Sequence, residues 1–141
     1  MKLLAVILAC VIVVGVTTVQ ARLPERCRTG EVRGFAAVTG TPELGMASIT
    51  SRFSNNQSLF SIRYNCIGRS VFVRRVDRGI FDVWFRDNPG LVPSVDAMSD
   101  QGTSSSVDRV SGSTFRVVLR GPLIDNNVTQ FRDIPFYITV F

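Results

Sequence analysis

The stretch from Arg69 to Asp87, RSVFVRRVDRGIFDVWFRD, constrains the fold more than any other part of the chain. Two arms rich in Val, Phe, Ile and Trp flank Asp77-Arg78-Gly79, a turn in which Gly79 can take positive φ. With those three residues as the loop, Val76 faces Ile80, Val73 opposes Val83 and Val71 opposes Phe85 on one face. Phe72 then opposes Trp84, and Arg74 opposes Asp82, on the other. The first face has the composition of a core; the second mixes aromatic and ionic pairs, as a partly exposed sheet surface does.

Period-two patterning recurs on both sides of this hairpin. Glu31 to Thr39 is a strand in which Gly34 marks a bulge or a close backbone approach. Met46 to Phe53 places Ala47, Ile49 and Phe53 on one face. In Leu59 to Cys66, Phe60, Ile62, Tyr64 and Cys66 alternate with Ser61, Arg63 and Asn65, which aims the first set inward. Ser113 to Arg120 and Pro135 to Phe141 alternate in the same way, presenting Phe115, Val117, Leu119 and then Phe136, Ile138, Val140. Asn88 to Ser106 has no sustained period and reads as a long loop, broken by a short strand or turn at Leu91-Val92 or Val95 to Met98. The run Thr103 to Ser106 could carry O-linked sugar there. No helical period of useful length follows the first 21 residues. These features predict an all-β fold, a single antiparallel β-sandwich with a small β-barrel as the alternative.

The N-terminus is of a different kind. Met1-Lys2 and the apolar run LLAVILACVIVVGV, ending at Val19-Gln20-Ala21, have the form of a secretory leader cleaved after Ala21. An uncleaved anchor is the competing reading, since the run nearly spans a bilayer. The resulting division is a signal peptide at 1–21, a polar lead-in at 22–30 and the β-sandwich domain at 31–141. Such a chain is expected to be secreted and extracellular, with no stable membrane span once the leader is cut.

Three cysteines are present, and removal of the leader takes Cys10 away. Cys27 and Cys66 then pair most simply with each other in an oxidising compartment. That bond would constrain the unfolded chain by about 3–4 kcal/mol in the loop-entropy treatment. Asn56-Gln57-Ser58 and Asn127-Val128-Thr129 are glycosylation sequons in predicted turns, making Asn56 and Asn127 candidate glycan sites.

Lys and Arg together number 16 against 11 acidic residues, for a net charge of +5. Lys2 is the only Lys, so loss of the leader lowers the charge by one and leaves a domain whose cations are all Arg. Guanidinium stays charged at physiological pH and grips carboxylate or sulfate through paired hydrogen bonds. With no His in the chain, Ser-His-Asp and Cys-His nucleophilic systems are excluded, as are His-built zinc sites. Without Lys in the domain, Schiff-base and Ser-Lys chemistry are excluded as well. A carboxylate pair for hydrolysis would have to come from Glu25, Glu31, Glu43 or an Asp, nearly all in predicted turns or beside Arg. No calcium-loop spacing is present, and neither a metal nor a cofactor is expected.

The expected function is therefore a non-catalytic secreted binding or matrix protein that engages acidic macromolecules, an anionic glycan or an acidic extracellular protein, through Arg-bearing strand faces, and not nucleic acid. The candidate surface is Phe72, Arg74, Trp84 and Arg86, with a guanidinium stacked on Trp84. The opposing structural reading covers Phe72 and Trp84 with a second sheet and leaves Arg74–Asp82 as a rim ion pair. Two further function classes are a purely structural component of an extracellular assembly such as a cuticle, egg coat or mineralised matrix, and, ranked last, a small carboxylate-dependent hydrolase.

Overall fold

A computed structural model of the chain describes Cys27 and residues 31–40, 49–88, 92–98, 102–121 and 130–141. Residues 1–21, expected to be a signal peptide, the remainder of the lead-in and Asn127 lie outside the described residues. Eight strands form two four-stranded antiparallel sheets, with no α-helix among the described residues. Sheet A has the order β2-β1-β8-β5, built from β1 (Gly34–Val38), β2 (Phe60–Asn65), β5 (Pro93–Ala97) and β8 (Phe136–Val140). Sheet B has the order β3-β4-β7-β6, from β3 (Val71–Asp77), β4 (Ile80–Phe85), β6 (Ser104–Ser111) and β7 (Thr114–Arg120).

The organising hairpin becomes β3 and β4 with the register expected from Val71 to Arg75: Val71 pairs with Phe85, Phe72 with Trp84, Val73 with Val83 and Arg74 with Asp82. Near the turn the pairing differs. Asp77, not Val76, meets Ile80, and a bulge between Arg75 and Asp77 throws Val76 outward. The extra residue lets a two-residue turn, Arg78-Gly79, close the hairpin.

Alternation selects the core. Val71 and Val73 of β3, Phe81, Val83 and Phe85 of β4, and Phe115, Val117 and Leu119 of β7 are buried on one side. They meet Ala36, Val38, Phe136, Ile138 and Val140 of sheet A in one cluster. Phe81 and Phe136 touch across the two sheets with ring centroids 5.4 Å apart. Each such side chain contributes about 1.5–3 kcal/mol by leaving water. Gly34 is a close approach, not a bulge: a Cβ there would lie 2.6 Å from the buried Phe85 ring.

Three sequence expectations are corrected. In β2, Phe60 is buried as expected, but Ile62 and Tyr64 face solvent, 57% and 40% exposed. Val38 pairs with Phe60 and Ala37 with Ile62, so Ser61 is an inserted residue that flips every later side chain to the opposite face. The 88–106 stretch holds all of β5 and the start of β6. Thr103 lies just before β6, and Ser104 to Ser106 are strand residues paired with Arg120 to Val118. An edge strand buries little, so its sequence carries a weak apolar alternation. Finally, 49–54 is not a regular strand. It runs beside β3, joined by one bridge between Ser54 and Val73 and a bond from Arg75 N–H to Thr50 C=O; residues 41–48 lie outside the description.

Polar clusters close the two ends. At one end the Cys27–Cys66 disulfide, Cα atoms 5.3 Å apart, ties the lead-in to the residue after β2. Beside it, buried Asn88 donates to Asn65 Oδ1 (2.9 Å) and to Arg33 C=O (2.8 Å), and Asn65 donates to Arg86 C=O. At the other end Asp133 accepts from Arg75 (3.1 Å) and from Gly79 N–H (2.8 Å), locking the 130–135 segment onto the hairpin turn.

Gly79 combines φ of +66° with backbone atoms of Arg132 and Leu119 2.6 Å from any added Cβ. Gly79→Ala is therefore expected to destabilise by about 2–4 kcal/mol. Gly34→Ala, with an aromatic ring to displace and no positive φ, is expected to cost about 1–3 kcal/mol. Urea unfolding of both variants checks the order; equal stability of Gly79→Ala and the parent protein would contradict it.

Candidate functional site

The outer face of sheet B carries the candidate residues. Alternation along β3 and β4 turns Phe72, Arg74, Asp82 and Trp84 away from the core, and the same rule brings Arg116 of β7 into register with Asp82. Asp82 is the centre. Its side chain is completely enclosed although it lies on an outer face, and it contacts two guanidinium groups that are 37% and 38% exposed. Arg74 donates from Nε and Nη2 to Oδ2 at 3.0 and 2.7 Å. Arg116 donates from Nε to Oδ1 at 2.8 Å and from Nη2 to Oδ2 at 3.1 Å. Four charge-assisted bonds thus reach the carboxylate, three on Oδ2 and one on Oδ1.

The electrostatic balance follows from this geometry. Burial on its own pushes the Asp82 carboxyl up; hydrogen bonds from Arg116 and Arg74, together with their charges, outweigh it and hold it below its ordinary 3.8. The hydrogen bond to Asp82 raises Arg116, against the opposing effect of burial. Arg74–Asp82 is thus more than a rim ion pair, because its acidic partner is wholly removed from water.

An aromatic cluster adjoins the triad. Trp84 stacks on Phe72 with centroids 5.0 Å apart and meets Phe53 at 5.8 Å. The Arg74 guanidinium lies 4.6 Å above the Phe53 ring. Trp84 is half-buried and sits outside the space between the sheets, so no second sheet covers it. The arginine stack expected on Trp84 forms on Phe53 instead, since 49–54 brings that ring alongside β3. Arg86 lies past the end of β4, exposed, with its Nε 3.8 Å from Asp87. The structure therefore gathers Phe72, Arg74 and Trp84 and places Arg86 at the margin. Phe53 and Arg116 were missed as site residues. Arg116 shared the outward parity of its strand, but its pairing with Asp82 required knowing that β7 lies beside β4.

Asn56 is exposed before the short 3-10 turn Gln57–Leu59, and its Oδ1 accepts from Ser58 N–H at 3.1 Å. Among the described residues no group of His, Cys, Asp and Glu has the arrangement to hold a metal ion, and no helix is long and apolar enough to cross a membrane. Comparison of the chain with protein-family models, with curated proteins and with solved structures gave no match.

The triad generates a sharp expectation. Either Arg alone compensates Asp82, so Arg74→Met and Arg116→Met should each cost about 1–2 kcal/mol, given their exposure. Together they strand a buried carboxylate and should cost about 3–5 kcal/mol, more than the sum. The pH dependence should also reverse. In the parent protein Asp82 has a depressed value, so its contribution is present above about pH 4 and is lost as pH falls through the folded value. In the double variant burial acts unopposed, the carboxyl rises, and stability should increase as pH is lowered from neutral toward 4. Denaturant melts across that range check both the non-additivity and the sign.

Proposed function

We propose that the protein is a secreted, non-catalytic binding protein that engages an acidic macromolecule through the outer face of sheet B. The observation that carries this is the placement of Arg74 and Arg116 beside the Phe53–Trp84–Phe72 cluster, both oriented by Asp82. Each guanidinium uses two N–H groups on Asp82 and has three more, already held in a fixed plane. Orientation before binding lowers the entropy lost on forming a complex. The two Arg outweigh one Asp, so the triad retains net positive charge, and half-exposed Trp and Phe beside Arg is the composition of binding hot spots. The Cys27–Cys66 bond supports secretion, because such bonds persist in oxidising compartments. Glycosylation at Asn56, exposed in its turn, belongs to the same proposal.

A second reading, a structural component of an extracellular assembly, is favoured by the outer face of sheet A. There Ile62, Tyr64 and Tyr137 are exposed beside Phe35, which stacks on Tyr137 at 5.9 Å. Contiguous apolar surface of this kind marks protein–protein contact.

Trp84 is the only Trp in the chain, so its emission reports on the site directly. Heparin and poly-glutamate titrated into the mature protein should shift that emission and retain affinity at physiological salt for one of the two. Arg74→Met and Trp84→Leu should weaken that binding by at least about tenfold, measured calorimetrically. Binding of every polyanion alike that vanishes with salt, or binding unchanged in both folded variants, would remove sheet B's face as the site and favour assembly.

A further inference from the structure

The edges of the sandwich are unlike each other. At the β5/β6 edge the sheets are joined, with Ser105 Oγ donating to Val95 C=O at 3.1 Å. At the opposite edge β2 is the outermost strand of sheet A, β3 is the last strand of sheet B with residues 50–54 bonded along its outer side, and the connector 66–70 crosses between the two sheets. Between them lies an open cleft of about 240 Å³ lined by Arg63, Tyr64, Asn65, Gly68, Arg69, Ser70 and Val71. Among the described residues its walls hold two guanidinium groups and no carboxylate.

The backbone of β2 faces this cleft. Val92 and Phe141 exchange both main-chain bonds, so the odd-numbered residues of β8 bond to β5 and the even ones to β1. The alternate residues of β1, Phe35 and Ala37, therefore bond to Tyr64 and Ile62 of β2. Arg63 is left with its N–H and C=O pointing away from the sheet, and β2 pairs only with β1 among the described residues. An exposed antiparallel edge is a template for another strand. The position is rigid: Cys66 is held by the disulfide, Gly68 N–H donates to Asn65 C=O at 2.8 Å, and the Arg63 side chain donates to Asn55 C=O while lying 5.2 Å from the Phe60 ring centroid.

The distribution of paired charge directs a ligand here. Arg74 and Arg116 are committed to Asp82, and Arg75 to Asp133. Among the described residues Arg63 and Arg69 join no ion pair, and, unlike the other arginines without one, these two share one cleft. We infer that the β2/β3 cleft is a second binding site, which takes an extended acidic peptide segment. The segment adds as a strand along β2, bonding to the Arg63 main chain, and its carboxylates meet the Arg63 and Arg69 guanidinium groups. The main-chain edge selects a peptide over a glycan, and the uncompensated arginines select acidic side chains. This site goes beyond the aromatic face and shares none of its side chains.

A short poly-glutamate peptide titrated into the mature protein, followed by calorimetry and amide hydrogen exchange, tests the inference. Arg63 N–H should become protected, and Arg69→Ala should weaken binding by about tenfold, with Arg63→Ala/Arg69→Ala weaker still. Arg69 is exposed, so the single variant keeps the test available if the double variant does not fold. Unchanged affinity in folded Arg69→Ala would overturn the site. Arginine-dependent binding with no protection of the Arg63 amide, or an equal effect from heparin, would overturn strand addition. A change in Trp84 emission with Arg63 exchange unaltered would place the peptide on the aromatic face and refute the cleft while leaving that face standing.

Discussion

Asp82 is the residue on which the candidate face depends. A carboxylate with no solvent contact in the middle strand of a three-strand patch is unfavourable unless cations reach it. Here cations arrive from both sides, Arg74 from β3 and Arg116 from β7. The ionic contact thus ties three adjacent strands together on the side opposite the core, beside the Phe72–Trp84 stack that joins β3 to β4. It also sets the planes of both guanidinium groups, and Arg74 in turn covers Phe53. Phe53 adjoins Trp84, so the aromatic cluster and the ion cluster form one unit.

The remainder of the molecule holds this face in place. The apolar core fixes the two sheets face to face, and the polar closures fix their ends: Asn65, Asn88 and the disulfide at one, Asp133 with Arg75 and Gly79 at the other. Asp133 is placed as Asp82 is, buried and bridged by arginine, but it bonds the hairpin turn and so secures the register that brings Arg74 opposite Asp82. Both closures rely on hydrogen bonds, because strand ends present main-chain groups that need hydrogen-bond partners. At the β2/β3 edge, among the described residues, such partners are not all supplied from within.

Much of the fold was legible in the sequence because strand parity is a local signal. Val71 to Arg75 against Asp82 to Phe85, and the inward sets of β7 and β8, follow from alternation and one turn. The Cys27–Cys66 bond followed from counting. Parity failed in β2, where the bulge at Ser61 inverted Ile62 and Tyr64; nothing in FSIRYN distinguishes a regular strand from a bulged one. It also failed at β6, whose serines resemble a loop because an edge strand needs few apolar residues. The candidate face was legible only in part. Phe72, Arg74, Trp84 and Asp82 lie on one hairpin, so local register brings them together. Phe53 and Arg116 arrive through long-range packing, which no spacing encodes. The sandwich architecture was accessible, while the strand order was not, since it depends on which sheet each strand joins.

The most direct test is the titration of the Asp82 carboxyl in the folded protein, followed by carbon-detected NMR. If two arginines hold the group ionised on the outer face, it titrates below its ordinary 3.8. A value above 3.8 would mean that burial prevails over the guanidinium contacts. In that case Arg74 and Arg116 are not fixed by a charge, and the ordered cationic face on which the proposed function rests does not exist.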